Sequence, residues 1–544
     1  MKRLQRLSIF AGMAALLLLL CAVVLFASPY APVVESVQDI EEIWAIEDAR
    51  TESEAPLVTR LENHGQALGY DAGSNTFYCT LGLGNTDAWP DIHLTAPGAK
   101  GVRLCFVDDY SYDWCADAIR DGYEYQIMAY TDTEFFYSYV VFTGLPIVCL
   151  NTDEMITADA DTPVGLTISA AQDGAISTYA RAHKRGATTL RMRPKHGMKV
   201  EFTRHSDGTK KTSQQMPFLG ETDEFILISG AMDPLLIRDK LGWDLFQGIS
   251  SPDEPFGARE TAYCEVFVGN EYQGVFVMMR PYDYEQELRK LGVSAAAQDS
   301  IYRLYRMAVE EDSERAKMRT QDHRGIFYER RYAPAGCDDH AAIEPYLEMF
   351  AMEDDAQFTQ RAVQLLDMDS VLRYALFVQA CGMTDSEQNN LYIAAHRQKE
   401  GYRYLYGLWD LDVSWGRDDD ENTEVWYPFE IFDRMLNLDA GGSARERMAE
   451  IWKQMRETTF NEAYLEALLA QYDEQLNNTG AFYRDAIRWE RSNSYLETYN
   501  IYSYAAARWD MMDRRIEEIA SDALAGHKLR IQGYTTFDEG ILEE

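Results

Sequence analysis

The alternation of apolar and polar residues divides the chain into stretches of different period. Lys2, Arg3 and Arg6 precede 21 residues, Leu7 to Ala27, that carry no charge. At ~1.5 Å per residue such a run matches a ~30 Å hydrocarbon layer. The basic residues come first, so the positive-inside tendency puts the rest of the chain on the outer side. The small residues Ala27 and Ser28 suit a cleaved signal peptide as the rival reading, the run's length favours the uncleaved anchor, and either exports the bulk of the protein. Cys21 follows Leu18, Leu19 and Leu20 without a small residue before it, which argues against a lipid attachment site.

From Ser28 to about Leu57 the sequence is acidic and punctuated by Pro, which predicts a stalk that need not pack. Between 58 and 144, the β-prone runs NTFYCTLGL, KGVRLCFV, YEYQIMAYT and FFYSYVVFT are separated by Gly, Asp and Pro clusters, the pattern of a small all-β sandwich. From Leu145, strand-like runs continue to about Arg280 with helical stretches between them, such as the amphipathic Pro234 to Phe246; a polar segment then reaches roughly His340. Asp369 is placed to cap a helix through Ala380, in which Leu372, Ala375, Leu376 and Val378 recur at near-helical spacing. The tail from about Ala444 to Ala525 is helical by composition and period.

The 544 residues allow three or four domains at roughly 150 residues each. With 46% hydrophobic and 26% charged residues, neither a disordered chain nor a polytopic membrane protein fits. Acidic residues number 89 against 51 basic, a net charge of −38, which disfavours generic binding to nucleic acid or to an anionic membrane surface. Any bound anion must be held locally. Outside the apolar segment the seven cysteines are 79, 105, 115, 149, 264, 337 and 381, sparse and without a CxxC pair, so neither a disulfide framework nor a zinc ribbon is indicated. Cys105 and Cys115 flank a turn-like VDDYSYD that a bridge would span, but buried free thiols serve as well, and no required disulfide is expected.

Local charge changes this picture at one place. Arg181 to Lys211 holds ten Lys or Arg against Glu201 and Asp207. Within it, Arg191, Arg193, Lys195 and Lys199 take odd positions, and Leu190, Met192, Met198, Val200 and Phe202 take even ones. A strand of period two would show one cationic and one apolar face, suited to phosphate or carboxylate, or simply a solvated basic edge blunted by Pro194. A second constellation follows the helix ending near Ala380: Asp385 and Asn390 lie five apart, and YRYLYGLWDLDVSWG ends with Asp410 and Asp412. Hard cations such as Mg²⁺ use one or two such carboxylates together with substrate phosphates. A lysine on a strand, an Asp with Asn five residues on, and an Asp at a strand end are the parts of kinase-like phosphoryl transfer, though singly each is more often a turn, a cap or a structural acid. His183, His196 and His205 fit no compact zinc spacing. Gly82 to Asp87 imitates a dinucleotide loop but lacks the third glycine and a following helix. The aromatic content of 12%, with 34 Tyr, suits β-cores more than sugar platforms.

In order, RGATTLRMRPK with Lys199 beyond it, DPLLIRDKLGWDLF, EVFVGNEYQGVFVMM, TDSEQNNLYIA and GLWDLDVSWG resemble the spore-coat-protein-H (CotH) kinase family over roughly Leu145 to Gly416. That resemblance implies a divergent, atypical protein-kinase fold and phosphoryl transfer from ATP, with Mg²⁺ or Mn²⁺, to serine-containing coat proteins. It implies Lys195 or Lys199 at the nucleotide phosphates, Arg185 of the RG motif at the cofactor, and Tyr404 stacked on adenine. It further implies Asp385 at the catalytic centre, Asp410 as principal metal ligand, Asp412 as the second, and Asn390 assisting. Arg238 and Asn270 match recurrent family positions. The chain departs from the pattern at Ala187, Thr188 and Thr189, where Asn and Ser are common, and at Arg280 and Pro281, where Glu often stands; Glu265 on the same hairpin is a substitute.

The expected fold class is α+β: membrane segment 1–27, acidic stalk 28–57, β-sandwich 58–144, kinase-like domain 145–430 with a helical C-terminal extension 431–530, and a tail 531–544. The expected protein is a single-pass, extracytoplasmic kinase acting on exported or surface proteins, or a secreted one if the first segment is cleaved, with no nucleic-acid partner. The alternative is a non-catalytic envelope protein that binds a protein or polysaccharide. A glycoside hydrolase using Asp385 and Asp410 needs carboxyls ~5 to 9.5 Å apart, for which the sequence offers nothing.

Overall fold

A computed structural model describes residues 34–35, 40–81, 92–107, 115–171, 174–186, 188–251, 254–291, 299–305, 327–333, 341–383, 386, 390–417, 423–427, 429–490 and 496–521. The apolar segment Leu7 to Ala27 and the loop Gly82 to Asp87 lie outside these residues. Among the described residues, no helix is long and apolar enough to cross a membrane.

The segment read as a stalk packs. Ile40–Asp48 forms a helix whose first turn carries Glu41 and Glu42, favourable at the positive end of the helix dipole. Its Ile43 is buried in a cluster with Cys105, Met128, Tyr130 and Phe135, and Tyr137 donates its hydroxyl to Glu47 at 2.6 Å. The sheet beneath runs Val34–Glu35, Arg103–Phe106, Glu124–Tyr130, Glu134–Thr143, Thr76–Thr80 and Gly69–Asp71, with Thr51–Glu52 on Glu134–Thr143. Three of its pairings are parallel, a second small sheet joins Glu62–Asn63 with Gln66–Ala67 and Leu94–Thr95, and a helix, Cys115–Arg120, stands beside them, so the region is not all-β. Tyr78 stacks on Tyr272 at 5.1 Å, and Gly69 approaches Phe267 so closely that a Cβ would collide with the ring.

Seven strands then close a barrel: Ile147–Asn151 (β1), Thr162–Ser169 (β2), Ala175–Arg185 (β3), Gly197–Thr203 (β4), Glu224–Ile228 (β5), Thr261–Val268 (β6) and Glu271–Met279 (β7). Their order is β1-β2-β3-β4-β5-β7-β6, and β6 returns to β1 in parallel. Alternate residues fill the barrel, Val164, Leu166 and Ile168 from β2 and Met198, Val200 and Phe202 from β4 among them. The cationic strand expected over Leu190 to Phe202 is shorter than its pattern. Thr188–Met192 is a helical turn, and Pro194, which has no N–H to give a ladder, lies in the loop before β4. Much of the basic charge is paired locally: Arg181 with Glu201 at 2.5 Å, Lys199 with Glu224 at 2.9 Å, and Lys211 with Glu224 and Asp223 at 2.9 and 3.0 Å.

The helix expected over Pro234 to Phe246 is Arg238–Gln247 (α1). It starts late because Leu236 sits at φ 62, a left-handed conformation no helix continues through. The segment read as polar contributes two strands, Ser300–Tyr305 (β8) and Phe327–Tyr332 (β9), which join Leu391–Arg397 (β10) and Tyr402–Gly407 (β11) in the order β9-β8-β10-β11. Six-residue runs with Ile301, Tyr302, Leu304 and Tyr328 buried between arginines carry too short a period to stand out in sequence. Helix Met368–Cys381 (α2) is capped by Asp367 rather than Asp369, and Gly382 at φ 63 ends it. Asp369 instead pairs with Arg447 of Ala444–Thr458 at 2.7 Å. The helices Glu462–Leu476, Ala481–Trp489 (α3) and Leu496–Ala520 complete a mixed α+β fold. Cys79, Cys105, Cys149, Cys264 and Cys381 are buried and carry no disulfide bond, and the Cys105 thiol lies against the Met128 carbonyl.

Candidate functional site

The site forms where α1 meets the loop that leaves β11. Asp233 accepts hydrogen bonds from the backbone N–H groups of Leu235, Ile237 and Arg238 at 3.2, 2.7 and 2.7 Å, fixing the first turn of the helix. Arg238, buried, pairs with Asp233 at 2.5 Å and donates from Nε to the Ser414 carbonyl at 3.0 Å. This recurrent family position therefore ties helix to loop. One residue on, Asp239 accepts from the Leu411 N–H at 3.1 Å. The loop is thus held from both sides of Asp412.

Asp410 sits at the loop's tip, solvent-exposed and at φ 58. A left-handed conformation is unfavourable for a residue with a Cβ, and such outliers concentrate at functional sites. Its neighbours gather charge of both signs. Burial and the carboxylates of Asp412 and Asp410 push Asp239 well above the usual carboxylate range. Burial and Asp410 push Asp412 up to about 7, with Arg417, 2.7 Å away, pulling the other way. Arg185, at the end of β3, lies over the Trp409 ring at 5.5 Å; desolvation lowers its pKa, and Asp410 ranks first among the groups that oppose this. Asn390, buried just before β10, accepts from Arg303 at 2.6 Å.

Asp239, Asp410 and Asp412 form a carboxylate group whose mutual repulsion the chain leaves partly uncompensated, the electrostatic complement of a divalent cation. Among the described residues no three His, Cys, Asp or Glu side chains close around one ion. The donor set therefore fits an ion that takes one or two protein carboxylates and completes its shell with phosphate and water oxygens, the habit of Mg²⁺.

The expected residues fare unequally. Arg185, Asp410 and Asp412 come together, Asn390 is tied to Arg303, and Asp385 and Ala187 lie outside the described residues. Lys195 is 2% exposed, and its ammonium pairs with Asp485 on α3 at 2.5 Å and donates to the Val275 carbonyl, also at 2.5 Å. Buried this way it has no face for a nucleotide, so its expected phosphate contact is corrected to a structural tie. Lys199 is part-exposed on β4 with Glu224 as partner. Tyr404 is fully buried, donates to the Ala342 carbonyl at 2.8 Å and packs on the Tyr346 ring at 5.3 Å, which corrects the expected adenine contact. Glu265 does not substitute for the missing Glu: it is buried and held by Arg484 through both carboxylate oxygens at 2.9 Å. Arg280 is part-exposed at the end of β7, and Asn270 is in the exposed β6–β7 turn. His183 pairs with Asp161 at 2.7 Å, and the three histidines form no metal group among the described residues.

Two residues at the site escaped the sequence reading, Asp239 and Arg303. Asp239 carried a signal: Arg238, Asp239 and Lys240 are consecutive charges inside an otherwise apolar run, and a wedged helix cannot expose all three. Arg303 lay in the stretch taken as polar.

No curated protein matches the chain. A family profile described as CotH kinase protein matches residues 182–521. This match takes in the RG motif at Arg185, the α1 clamp, the Asp410 loop and the helix that locks Lys195, and it spans more than half of the sequence; the chain belongs to the CotH kinase family.

Proposed function

We propose that this protein transfers the γ-phosphoryl group of ATP to a hydroxyl of an exported or surface protein. The observation that carries the reading is Asp410, held at φ 58 and exposed at the meeting point of Asp239, Asp412 and Arg185. Metal-bound ATP supplies the phosphoryl group and an ADP leaving group. In this reading Asp410 and Asp412 hold the cation, Asn390 assists, and the Arg185 guanidinium offsets phosphate charge. Asp385 takes the proton of the attacking hydroxyl as its oxygen bonds to phosphorus and the bond to ADP breaks. Catalysis is then mainly positioning and charge neutralisation. The segment 1–27 serves as anchor or signal, placing the substrate outside the cytoplasm.

One observation favours a second reading, that of a non-catalytic envelope-binding protein: Lys195 is sealed against Asp485, so no described lysine stands ready for phosphate where the resemblance puts one. Incubation of the protein with labelled ATP and Mg²⁺ or Mn²⁺ separates the two. Label incorporated by the parent and not by Asp410→Ala supports the kinase; no incorporation, with no rise in melting temperature on adding ATP and Mn²⁺, supports the binding protein.

A further inference from the structure

The kinase reading accounts for the carboxylates of the site but leaves its cations short, with Lys195 locked away and Lys199 at Glu224. A second guanidinium lies where charge is needed. In the β8–β10 ladder Arg303 stands opposite Tyr392, and paired residues project from the same face of a sheet. On that face the Tyr392 ring lies 5.6 Å from Trp409, which carries Arg185 at 5.5 Å. Arg303 donates to Asn390, and it is close enough to Arg185 to disfavour the Arg185 charge. The two guanidiniums come from strands of two different sheets and flank the Tyr392 and Trp409 rings, the latter next in sequence to Asp410. Arginine's planar fork suits phosphate oxygens, and the neighbouring aromatic faces keep water from competing.

We propose that Arg303, with Arg185, grips the terminal phosphates of a nucleoside triphosphate and replaces the lysine that this fold has diverted to Asp485. The inference rests on the kinase reading and specifies how that site recognises its nucleotide. Since Arg303 donates to Asn390, the same grip would also orient that amide.

Calorimetric titration of the full-length protein in Mn²⁺ with ATP, AMP and inorganic tripolyphosphate tests it, alongside Arg303→Gln and Arg303→Lys. Loss of a charge-assisted contact to phosphate is expected to weaken ATP and tripolyphosphate roughly ten- to a hundred-fold in Arg303→Gln. AMP, without the terminal phosphates, should shift less than about two-fold, and Arg303→Lys should recover part of the loss because it keeps the charge. A structural defect would weaken all three ligands alike, and that result overturns the proposal. So does a parent that binds ATP beside an Arg303→Gln variant that binds it equally well, an outcome that leaves the kinase reading intact. A parent that binds neither ATP nor tripolyphosphate overturns the kinase reading and this inference with it.

Discussion

Lys195 and Asp485, 290 positions apart in sequence, share an ion pair of 2.5 Å from which water is excluded on both sides. The same carboxylate oxygen accepts from the Val275 N–H at 2.9 Å, and the Lys195 ammonium lies 4.7 Å from the Phe276 ring centroid. The residue before Asp485 repeats the arrangement with charges exchanged, Arg484 of α3 meeting Glu265 of β6. Helix α3 is thereby keyed to the barrel by two buried pairs of opposite sense. Gly274, at φ 88, leaves room for it, since a Cβ there would strike the Asp485 carboxylate.

Removing one partner of such a pair leaves a bare charge in low dielectric. Lys195→Met is expected to cost about 3–5 kcal/mol. Asp485→Asn should cost less, because its amide oxygen still accepts from Val275. The double variant should be less destabilised than the sum of the two, a coupling that a double-mutant cycle in denaturant measures. Strict additivity would show that the pair does not hold α3.

This pair also marks where sequence reading stops. Lys195 was visible as a cation beside an apolar strand, but its partner comes from the far end of the chain and no local pattern links them. The barrel's strands were legible as strand-like runs, though their closure was not, and the C-terminal helices as long periodic stretches, because period reports which face is buried. Asp410, Asp412 and Asn390 were legible as oxygen donors at strand ends. Tyr404 was misread for a physical reason: an aromatic on a strand looks the same whether its ring meets a ligand or the rings of Tyr346 and Tyr402. Strands β8 and β9 were missed because each is six residues long and sets its buried Ile301, Tyr302, Leu304 and Tyr328 among arginines, so mean polarity hid them.

The second pair predicts acid sensitivity. Burial alone would raise the Glu265 carboxyl, and Arg484, helped by hydrogen bonds from Thr143 and Tyr272, more than offsets this and holds it below its ordinary 4.5. A carboxyl lowered by folding contributes stability that is complete above its unfolded value and is lost as pH falls through the folded one. Stability should therefore decline on acidification below about 4.5. Glu265→Gln should be less stable at neutral pH and lose less on acidification. Unfolding midpoints of the two proteins, measured from neutral pH down through that window, should converge; parallel curves would remove Glu265 as a source of the sensitivity.

Tyr404 separates packing from ligand contact. Tyr404→Phe removes one buried hydrogen bond, to Ala342, and should cost about 1 kcal/mol, whereas Tyr404→Ala empties a fully buried ring site at about 3–5 kcal/mol. Neither the ring nor its hydroxyl reaches the Asp410 loop, so nucleotide affinity of Tyr404→Phe should equal that of the parent. A clear fall in ATP affinity with unchanged melting temperature would restore the adenine contact.

Asp410 should be a residue whose removal makes the protein more stable. At φ 58 an L-residue is strained by about 1 kcal/mol or more, a cost that glycine escapes. Its carboxylate also drives up the pKa of Asp412 and of Asp239, so its loss relieves repulsion as well as strain. Asp410→Gly is expected to melt higher than the parent in the absence of ligands, and Asp410→Asn, which relieves repulsion alone, to fall between them. In ATP and Mn²⁺ the order should reverse, because a ligand held through Asp410 raises the melting temperature of the parent only. Thermal unfolding of the three proteins with and without ATP and Mn²⁺ reads both effects at once. If Asp410→Gly melts lower than the parent without ligand, the loop is not held against its own preference, and the case for Asp410 as the organising residue of the site falls.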